Sequence, residues 1–357
     1  MSQSIPVISI SGRPFERGRQ YGEQAREYIE KSLASYRIWF EERANLKWEE
    51  VLRRGEQFRP FIENYDPDIL EEMRGMAAGA GCSLEEIVAI NARSELLFVT
   101  MPECTSLGIT PEASADGSTI IGQNWDLNPA TKETIVILKI HQPPKPDVIA
   151  VTEAGLIGKA GVNSAGIGLV TNLLVCRGVN RVGVPRMVIN RGILNSTTMS
   201  DAIRAVVLTK RSSSSNYVIG HAGGEIIDLE TAPHTFHALY PEGGVIGHAN
   251  HFVAPREELL NRGEFPLPDS LFRHHRVNKL LRQLKPQITL EDIKNIFRDH
   301  FSYPDSICRH ANARDPRSDQ WETIMSIIVD LTHRRLIYTE GQPCTNEYKV
   351  LGFEDSI

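Results

Sequence analysis

The hydrophobic pattern of this 357-residue chain changes at about residue 104, and that change constrains the fold more than any other feature. Upstream, apolar residues recur at near-helical spacing, as at Tyr21, Ala25, Tyr28, Ile29 and Leu33. Downstream, β-branched runs such as "ETIVILKI" and "DVIAVTEAG" are separated by turn sequences. The first spacing indicates amphipathic helices, and short apolar runs between turns indicate strands. We therefore predict a mostly helical segment over residues 1–103 and a strand-rich segment over 104–357.

Several short signals place individual elements. "PVISISG" alternates apolar and polar residues and predicts a short first strand. Ser83, with Glu86 three residues later, predicts a capping box at the start of a helix. "NSAG" predicts a hairpin turn in which Asn163 takes a positive φ, because asparagine tolerates that conformation. Residues 185–210 are predicted to form one helix.

The order of the predicted elements indicates the fold class. Helices precede, interrupt and follow runs of strands, and most strands are joined by hairpin turns, which antiparallel pairs permit. A mostly antiparallel α+β sandwich covered by helices therefore fits better than a doubly wound parallel sheet. The sequence contains no repeat and no flexible linker, so residues 1–357 are expected to form a single domain.

Composition narrows the range of partners. The net charge is −6, and the densest basic stretch, "FRHHR" at 272–276, is interpreted as a solvated helix face. This balance gives no reason to expect nucleic acid. No apolar run reaches the ~18 residues of a membrane span, and the N-terminus does not resemble a signal peptide. We therefore expect no membrane partner and a cytoplasmic location.

The common cofactor signatures do not occur in the sequence. Neither the phosphate-binding GxxxxGK[ST] nor GxGxxG after a strand is present, and HExxH is missing. The five cysteines are scattered without a CxxC pair, and the histidines show no metal-ligand spacing. The expectation is no metal and no cofactor, with most cysteines buried as small apolar side chains.

Cys104, in "ECTSLGIT" at the junction of the two segments, is the candidate nucleophile. A thiolate needs a base, and cleavage of the preceding peptide bond would supply one as the new α-amine, with a pKa of ~7.7–8.0. A hairpin between "CTS" and "GQNWD" would bring Asp126 back beside Cys104. The alternative from the residues alone is a buried cysteine in a strand.

The ordered motifs around this cysteine resemble a known family. "RPFERGRQYGEQA", "GQNWD", "TEAGLIGKAGVNSAG", "LPDS", "YPDSICR" and "TIMSIIVD" occur nearly end to end. Together they are similar to the acyl-coenzyme A:6-aminopenicillanate acyltransferase family of the N-terminal-nucleophile hydrolase superfamily. Bile-salt hydrolases, penicillin V acylases and acid-ceramidase-type amidases are wider relatives.

The resemblance implies a fold and a mechanism. It implies a four-layer αββα sandwich that cuts itself at Glu103–Cys104 into fragments 1–103 and 104–357, which stay associated. It implies Cys104 as the nucleophile and, through its amine, as the base. Asp126 would organise the amine and cleavage site. Asn250 would donate to the oxyanion, and Asn172 would be a second active-site asparagine.

Other residues have two open interpretations. Arg309 is either an active-site cation or part of an ion pair. Ser214 and Ser215 lie near a serine that the fungal family member needs. Trp125 is expected in the core or the pocket wall. The glycines Gly122, Gly161 and Gly166 are interpreted as backbone requirements rather than ligands.

The expected activity is acyl transfer from an amide or thioester through a Cys104 thioester to water or an amine. The substrate would be a small acyl amide, of the 6-aminopenicillanate type or another, or an acyl-CoA co-substrate. One alternative is an uncleaved binding or scaffold protein on the same fold. Another is a Cys–His hydrolase that uses His248 or His251 as its base. The family's fungal member has glycine where this chain has Glu103.

Overall fold

The fold is that of a computed structural model, which describes residues 4–97, 104–174, 182–254 and 268–355. The upstream segment contains one strand followed by helices, as its periodicity predicts. These elements are β1 Val7–Ser11, α1 Pro14–Gln24, α2 Arg26–Ala44, α3 Trp48–Gly55, α4 Arg59–Tyr65, α5 Pro67–Ala80, α6 Leu84–Asn91 and α7 Arg93–Leu97. The capping box at α6 is confirmed, because Ser83 Oγ accepts from the backbone N–H of Glu86.

The downstream segment contains most of the strands. They are β2 Cys104–Ile109, β3 Ile120–Leu127, β4 Ile135–His141, β5 Val148–Glu153, β6 Ala160–Asn163, β7 Ile167–Leu173, β8 Ser215–His221, β9 Glu225–Thr231, β10 Phe236–Leu239, β11 Val245–His248, β12 Glu322–Asp330, β13 Arg335–Tyr338 and β14 Lys349–Leu351. The intervening helices are α8 Arg186–Leu194, α9 Met199–Val207, α10 Pro268–Leu284 and α11 Leu290–Phe297.

One helix predicted from the sequence is two helices in the structure. Residues 185–210 divide into α8 and α9, and the side chain of Thr198 caps α9 by accepting from the backbone N–H of Asp201. The "NSTT" stretch between them is rich in residues whose side chains compete for backbone hydrogen bonds. Apolar residues recur at helical spacing on both sides of this stretch, and for that reason the sequence predicted a single helix.

Two sheets form the centre of the molecule. Their strand orders are β1-β4-β5-β6-β7-β8-β9-β10 and β11-β2-β3-β12-β13-β14. Every described pair is antiparallel except β1 with β4, which is parallel. The prediction of mostly antiparallel sheets is therefore confirmed, with one parallel pair at an edge.

Strand alternation distributes the apolar residues over three layers of core. On β4, Val136 and Leu138 belong to the cluster beneath the helices of the upstream segment and α8 and α9. Their neighbour Ile137 joins residues of β3 and β12 in a cluster between the two sheets. A third cluster packs the six-stranded sheet against α10 and α11, with Leu107 and Val277 among its members. The order helix, sheet, sheet, helix confirms the αββα sandwich of the α+β class.

Helices α1 and α5 pack with their backbones in contact. A Cβ added to Gly22 would lie 2.2 Å from the carbonyl oxygen of Met76, and one added to Gly79 would lie 2.2 Å from that of Arg19. Only glycine fits at such distances, because heavier side chains would displace the neighbouring backbone. Among the described residues, no helix is both long enough and apolar enough to cross a bilayer.

Candidate active site

Cys104 begins β2, the second strand of the six-stranded sheet, next to the edge strand β11. This strand pairs with β3, where Cys104 lies opposite Trp125, and with β11 on its other side. The side chain is only 2 % exposed and belongs to the core between the sheets. The predicted hairpin that returns "GQNWD" to the cysteine is therefore confirmed.

Side chains from β7, from α10 and from the segment after β11 hold the backbone of Cys104. Its N–H donates to Asn250 Oδ1 at 2.9 Å. Its carbonyl oxygen accepts from Asn172 Nδ2 at 3.0 Å and from Arg273 Nη1 at 2.9 Å. A backbone amide at the start of a strand is thus surrounded by buried polar groups that have no role in the sheet ladder.

Both predicted asparagines lie at Cys104, Asn250 through its amide oxygen and Asn172 through its amide nitrogen. Asn250 presents its oxygen to Cys104, while its Nδ2 donates to the carbonyl of Leu173 at 3.0 Å. One of the two hydrogens on Nδ2 is thereby used, and one remains for a further acceptor. Asn172 binds the Cys104 carbonyl, and Ser215 supports it by donating to the Asn172 carbonyl at 3.2 Å.

Asp126 lies next to Trp125 and therefore projects to the opposite face of the sheet from the Cys104 thiol. Its Oδ1 accepts from Thr323 Oγ1 at 2.7 Å, and its Oδ2 has no partner among the described residues. Burial raises the pKa of Asp126 to about 8, against the opposing effect of Arg273. The backbone N–H of Asp126, rather than its carboxyl group, faces the thiol and favours the thiolate.

Arg309 does not contact Cys104 in any hydrogen bond of the described residues. Its Nη1 donates to Asp269 at 2.9 Å and its Nη2 donates to Asp305 at 2.5 Å, so the ion-pair interpretation fits its geometry. Asp269 also accepts from Arg273, which connects Arg309 to the site through one shared carboxylate. Glu103, the other side of the predicted cleavage site, lies outside the described residues.

Arg273 is the main functional candidate that the sequence interpretation missed. The expectation of a solvated face for "FRHHR" was wrong at this residue, since Arg273 is fully buried and binds Cys104, Thr105 and Asn250. A signal was present in the sequence. The buried positions of α10 are Ser270, Arg273, Val277 and Leu281, so the arginine lies on the helix's apolar stripe.

The thiol itself faces a small cationic cavity. Lys159 Nζ lies 4.1 Å from the centroid of the Trp125 ring, and Arg186 lines the same cavity. The volume beside Cys104 is about 10 Å³, room for roughly one water molecule. A larger groove of about 700 Å³ between β10, β11 and α10 does not include Cys104 in its lining.

Burial and charge act in opposite directions on the groups in this cavity. Burial raises the pKa of the Cys104 thiol, and the nearby Lys159 ammonium lowers it. Burial also lowers the pKa of Lys159 to about 8. Arg186 Nε has no hydrogen-bond partner among the described residues, so the cavity contains a buried donor available to an anion.

The two histidines proposed as an alternative base have other partners. His248 Nε2 lies 2.7 Å from Glu230 Oε1, and its Nδ1 lies 2.9 Å from the carbonyl oxygen of Ala249. Burial opposes the charge on this ring, but Asp228 and Glu230 raise the pKa of His248 to about 9. His251 Nδ1 lies 2.8 Å from Ser270 Oγ. Neither ring makes a hydrogen bond to the thiol within the described part of the chain.

The remaining candidates have structural contacts. Asn163 ends β6, and its Oδ1 accepts from the backbone N–H of Ile167 at 2.9 Å. The positive φ expected of Asn163 belongs instead to Gly166, at 93°. A Cβ on Gly122 would lie 2.9 Å from the carbonyl oxygen of Ile327, in agreement with a backbone requirement. Trp125 lies in both the core and the cavity wall, as expected.

Comparison with known proteins agrees with these motifs. Residues 113–345 match the family described as "Acyl-coenzyme A:6-aminopenicillanic acid acyl-transferase". A protein of Emericella nidulans, "Acyl-coenzyme A:6-aminopenicillanic-acid-acyltransferase 40 kDa form", is 31% identical over 343 residues, which cover 94% of this chain and 92% of that protein.

Solved structures with partial similarity were also found. A mutant of conjugated bile acid hydrolase from Clostridium perfringens is 13% identical, with a TM-score of 0.46, over 69% of this chain and 96% of that one. Penicillin V acylase from Agrobacterium tumefaciens is 9% identical, with a TM-score of 0.37, over 71% of this chain and 80% of that one. The sequence matches cover far more than half of the chain, and on them the chain belongs to the acyl-coenzyme A:6-aminopenicillanic acid acyl-transferase family.

Proposed function

We propose that the protein is a self-processing cysteine amidohydrolase or acyltransferase whose nucleophile is Cys104. One observation carries the proposal: the backbone N–H and C=O of Cys104 are held by Asn250, Asn172 and Arg273, all buried. An ordinary strand residue needs no such environment. A residue whose own amine becomes the catalytic base does need one, because the amine must be oriented and desolvated.

The first proposed step is cleavage of the Glu103–Cys104 bond. The Cys104 thiol attacks the Glu103 carbonyl carbon, the C–N bond breaks, and the Cys104 nitrogen takes the thiol proton, which leaves a thioester. Water then hydrolyses the thioester, which restores the Cys104 thiol and leaves a new C-terminal α-carboxylate on Glu103. The proposed products are fragments 1–103 and 104–357, both folded in one particle. Well-oriented intramolecular reactants can reach effective molarities of ~10⁵–10⁸ M.

The second proposed step uses the new N-terminus. The α-amine takes the thiol proton, the thiolate attacks the substrate carbonyl, and the leaving amine departs with that proton. The acyl thioester on Cys104 then passes its acyl group to water or to an acceptor amine. An α-amine with a pKa of ~7.7–8.0 suits this proton transfer near neutral pH.

We propose two donors for the oxyanion, both close to Cys104. Asn250 Nδ2 has one hydrogen beyond the one given to Leu173, and the backbone N–H of Asp126 faces the thiol. Either group can donate to a tetrahedral intermediate built on the sulfur. Losing one such donor typically lowers the rate 10²–10³-fold, or ~3 kcal/mol.

The cavity charges favour an anionic substrate. Three cations, Arg93, Lys159 and Arg186, line the cavity with one carboxylate, Glu153. Arg186 Nε has no hydrogen-bond partner in the part of the chain that the structure describes, and it is a donor for a carboxylate. We therefore propose an acyl amide with a carboxylate near the scissile bond as the substrate, with acyl-CoA as a second acyl donor by analogy with the family. No other cofactor, nucleic acid or membrane is part of the proposal, and the cytoplasm is the proposed location.

The test is a comparison of four proteins: wild type, Cys104→Ala, Cys82→Ala and Glu103→Gly. We expect wild type and Cys82→Ala to be cleaved and to hydrolyse N-acyl amino acids in preference to the matching amides without a carboxylate. Cys104→Ala should remain one chain without activity. Faster cleavage of Glu103→Gly would show that the carboxylate slows processing. Cleavage of Cys104→Ala at the same bond would contradict the mechanism, and a whole, inactive wild type and Glu103→Gly would favour the binding-protein alternative.

A further inference from the structure

A second cluster of reactive side chains lies outside the candidate active site. His300, Cys308, His310 and Cys344 each offer one ligand atom, and the four atoms lie within 4.8 Å of one another. His300, Cys308 and His310 lie in the segment between α11 and β12, and Cys344 lies in the loop after β13. The sequence showed no metal-ligand spacing because the fold, and not a short motif, brings these residues together.

The distances in this cluster suit a tetrahedral ion. His300 Nε2 and His310 Nε2 are 3.0 Å apart, and His310 Nε2 lies 3.5 Å from Cys344 Sγ and 3.8 Å from Cys308 Sγ. With Zn–S of ~2.3 Å and Zn–N of ~2.0–2.1 Å, ligand atoms of a tetrahedral zinc site lie ~3.3–3.8 Å from one another. The two distances from His310 to the sulfurs agree with this range, the His300–His310 distance is shorter, and no pair of ligand atoms exceeds 4.8 Å, so the side chains must adjust when they bind an ion.

The surrounding contacts hold the ligands in place. The backbone N–H of Cys308 donates to the Asp299 carbonyl at 3.0 Å, and that of His310 donates to the Pro304 carbonyl at 3.0 Å. The Gln342 amide lies 3.2 Å from His310 Nδ1. By turning its oxygen toward that nitrogen, Gln342 can accept the Nδ1 proton that a ring bound to metal through Nε2 carries.

We infer that His300, Cys308, His310 and Cys344 form a structural Zn²⁺ site. Two sulfurs and two imidazoles in tetrahedral reach are the donor set that zinc prefers, and a full set of four protein ligands is typical of structural sites. Binding would release the two thiol protons to solvent and leave two thiolates and two neutral imidazoles on the ion. This expectation replaces the prediction of no metal.

The site has a defined place relative to the nucleophile strands. The carbonyl of Ile307, next to Cys308, accepts from Asn124 Nδ2 on β3 at 2.8 Å. The backbone N–H of Arg309 donates to Thr323 Oγ1, which donates to Asp126. A metal here would therefore fix the segment that supports Asp126 from behind, and it would act on stability rather than touch substrate.

The test uses the full chain purified from zinc-supplemented cells and freed of loose metal. Plasma mass spectrometry should find about one zinc per chain in wild type, and in Cys82→Ser and Cys104→Ala, which leave the ligands intact. The zinc content of Cys344→Ser should fall to near zero. His300 is exposed, so His300→Ala should keep its fold and bind zinc more weakly. Replacement by Co²⁺ should give the thiolate charge-transfer band and intense visible bands of a tetrahedral site.

Several results would overturn the inference. One is a wild type that neither retains zinc nor takes up added Zn²⁺ or Co²⁺ with these spectra. Another is a zinc content that Cys344→Ser does not change. A third is a thiol titration, in denaturant with chelator, that finds three free thiols instead of five, because Cys308 and Cys344 would then be joined in a disulfide.

A stability measurement complements the metal analysis. A chelator should lower the thermal unfolding midpoint of wild type and leave that of Cys344→Ser unchanged.

Discussion

Arg273 connects more of the candidate site than any residue singled out by motif. Its guanidinium donates to Cys104 O, Thr105 Oγ1 and Asn250 Oδ1 at 2.9–3.1 Å. Its Nε donates to Asp269 at 2.8 Å. The planar fork of arginine meets several acceptors at fixed angles, which a lysine cannot do. The position of the Cys104 backbone therefore depends on a residue of α10.

Replacing Arg273 with methionine should be costly. The change removes one of two donors from the Cys104 carbonyl, which keeps Asn172, and one of two arginine partners from Asp269, which keeps Arg309. Because hydrogen bonds between buried and charged groups are lost, we expect the free energy of unfolding to fall by ~2–3 kcal/mol. Urea unfolding measures this loss, and intact mass should show slower cleavage. Arg276→Met is the matched control, since Arg276 pairs with Asp299 at a partly exposed position on the same helix and should cost less than ~1 kcal/mol. Equal losses in the two variants would contradict the assigned role.

His248 provides a test of the alternative histidine base. Its raised pKa of about 9 means that the ring is protonated at pH 7.5 and donates to Glu230 and to the carbonyl of Ala249. Because the folded pKa exceeds the unfolded value of 6.5, the stability from this charge is complete below pH 6.5 and is lost as pH rises through about 9. A protonated ring cannot act as a base.

Nitrogen-15 NMR of the imidazoles measures this directly. The His248 ring should show imidazolium shifts at pH 7.5, and Glu230→Gln should lower its pKa. His251 is the internal control, because burial and the charge on His248 lower its pKa to about 4 and keep it neutral at the same pH. A neutral His248 at pH 7.5 would restore the Cys–His alternative.

Among the individual site residues, the sequence predicted those that lie in recognisable motifs. Cys104, Asn172 and Asn250 were named from the family resemblance, and the fold brings all three together. Arg273 was missed because a charge inside a basic stretch suggests solvent, and only its place on a buried stripe indicates otherwise. The amide orientation of Asn250 depends on Leu173 and Cys104 jointly, and no local pattern encodes it.

Among the elements, the pairing of α1 with α5 leaves no room for a larger side chain at its contact. The two helices meet through glycines at four-residue spacing, Gly18 and Gly22 on α1 and Gly75 and Gly79 on α5. Beside them, Glu72 accepts from Arg17 and Arg191 in a buried network. Close backbone approach and a paired buried charge together fix the register of these helices.

Gly22→Ala should separate α1 from α5. The new methyl would lie 2.2 Å from the Met76 carbonyl oxygen, so the helices must move and strain the Glu72 network. We expect the free energy of unfolding to fall by ~3 kcal/mol or more. This exceeds the usual cost of overpacking because the clash is with backbone atoms. Chemical denaturation measures it. Ala78→Gly changes the same methyl at an exposed position of α5 and should cost only ~1 kcal/mol. A stabilised Gly22→Ala would contradict the packing.

The spacing of apolar residues predicted that these helices exist, but it did not predict how they pack. Glycine lowers helix propensity, so Gly18 and Gly22 give no local sign that they serve helix packing. Their value appears only when a second helix with its own glycines lies against them. The break between α8 and α9 has a local origin instead, because the cap at Thr198 ends the continuous helix that the apolar spacing predicted.

Across the whole molecule, the upstream segment is built into the sandwich. β1 pairs in parallel with β4 over five residues, from Val7 opposite Ile137 to Ser11 opposite His141. Arg93 on α7 forms a buried ion pair with Glu153 on β5 at 2.7 Å. Both contacts cross the proposed cleavage site in sequence, so they would survive the cut.

The two fragments should therefore remain one particle after processing. Size-exclusion chromatography in native buffer should give a single peak containing both, and urea should separate them. Glu153→Gln removes the partner of a buried arginine and should lower the urea concentration at which they part. Glu133→Gln, which loses only an exposed pair with Lys31, should not. Separation of the fragments in native buffer would contradict this view of the fold.

The layered architecture was predictable from the order of helices and hairpins, whereas the parallel edge pair was not. β1 and β4 are far apart in sequence, and nothing within "VISIS" specifies its partner. Local patterns report which face of a strand is buried, but the neighbour of a strand depends on the packing of the entire sandwich.

The central claim is that Cys104 becomes the N-terminus of a catalytic fragment, and intact mass under denaturing conditions tests it most directly. The account predicts two species, residues 1–103 and 104–357, of about 11–12 and 28–29 kDa from the 40.0 kDa chain, with the larger beginning Cys-Thr-Ser. A single 40.0 kDa species that hydrolyses acyl amides would contradict it, since catalysis would then proceed without the free amine of Cys104.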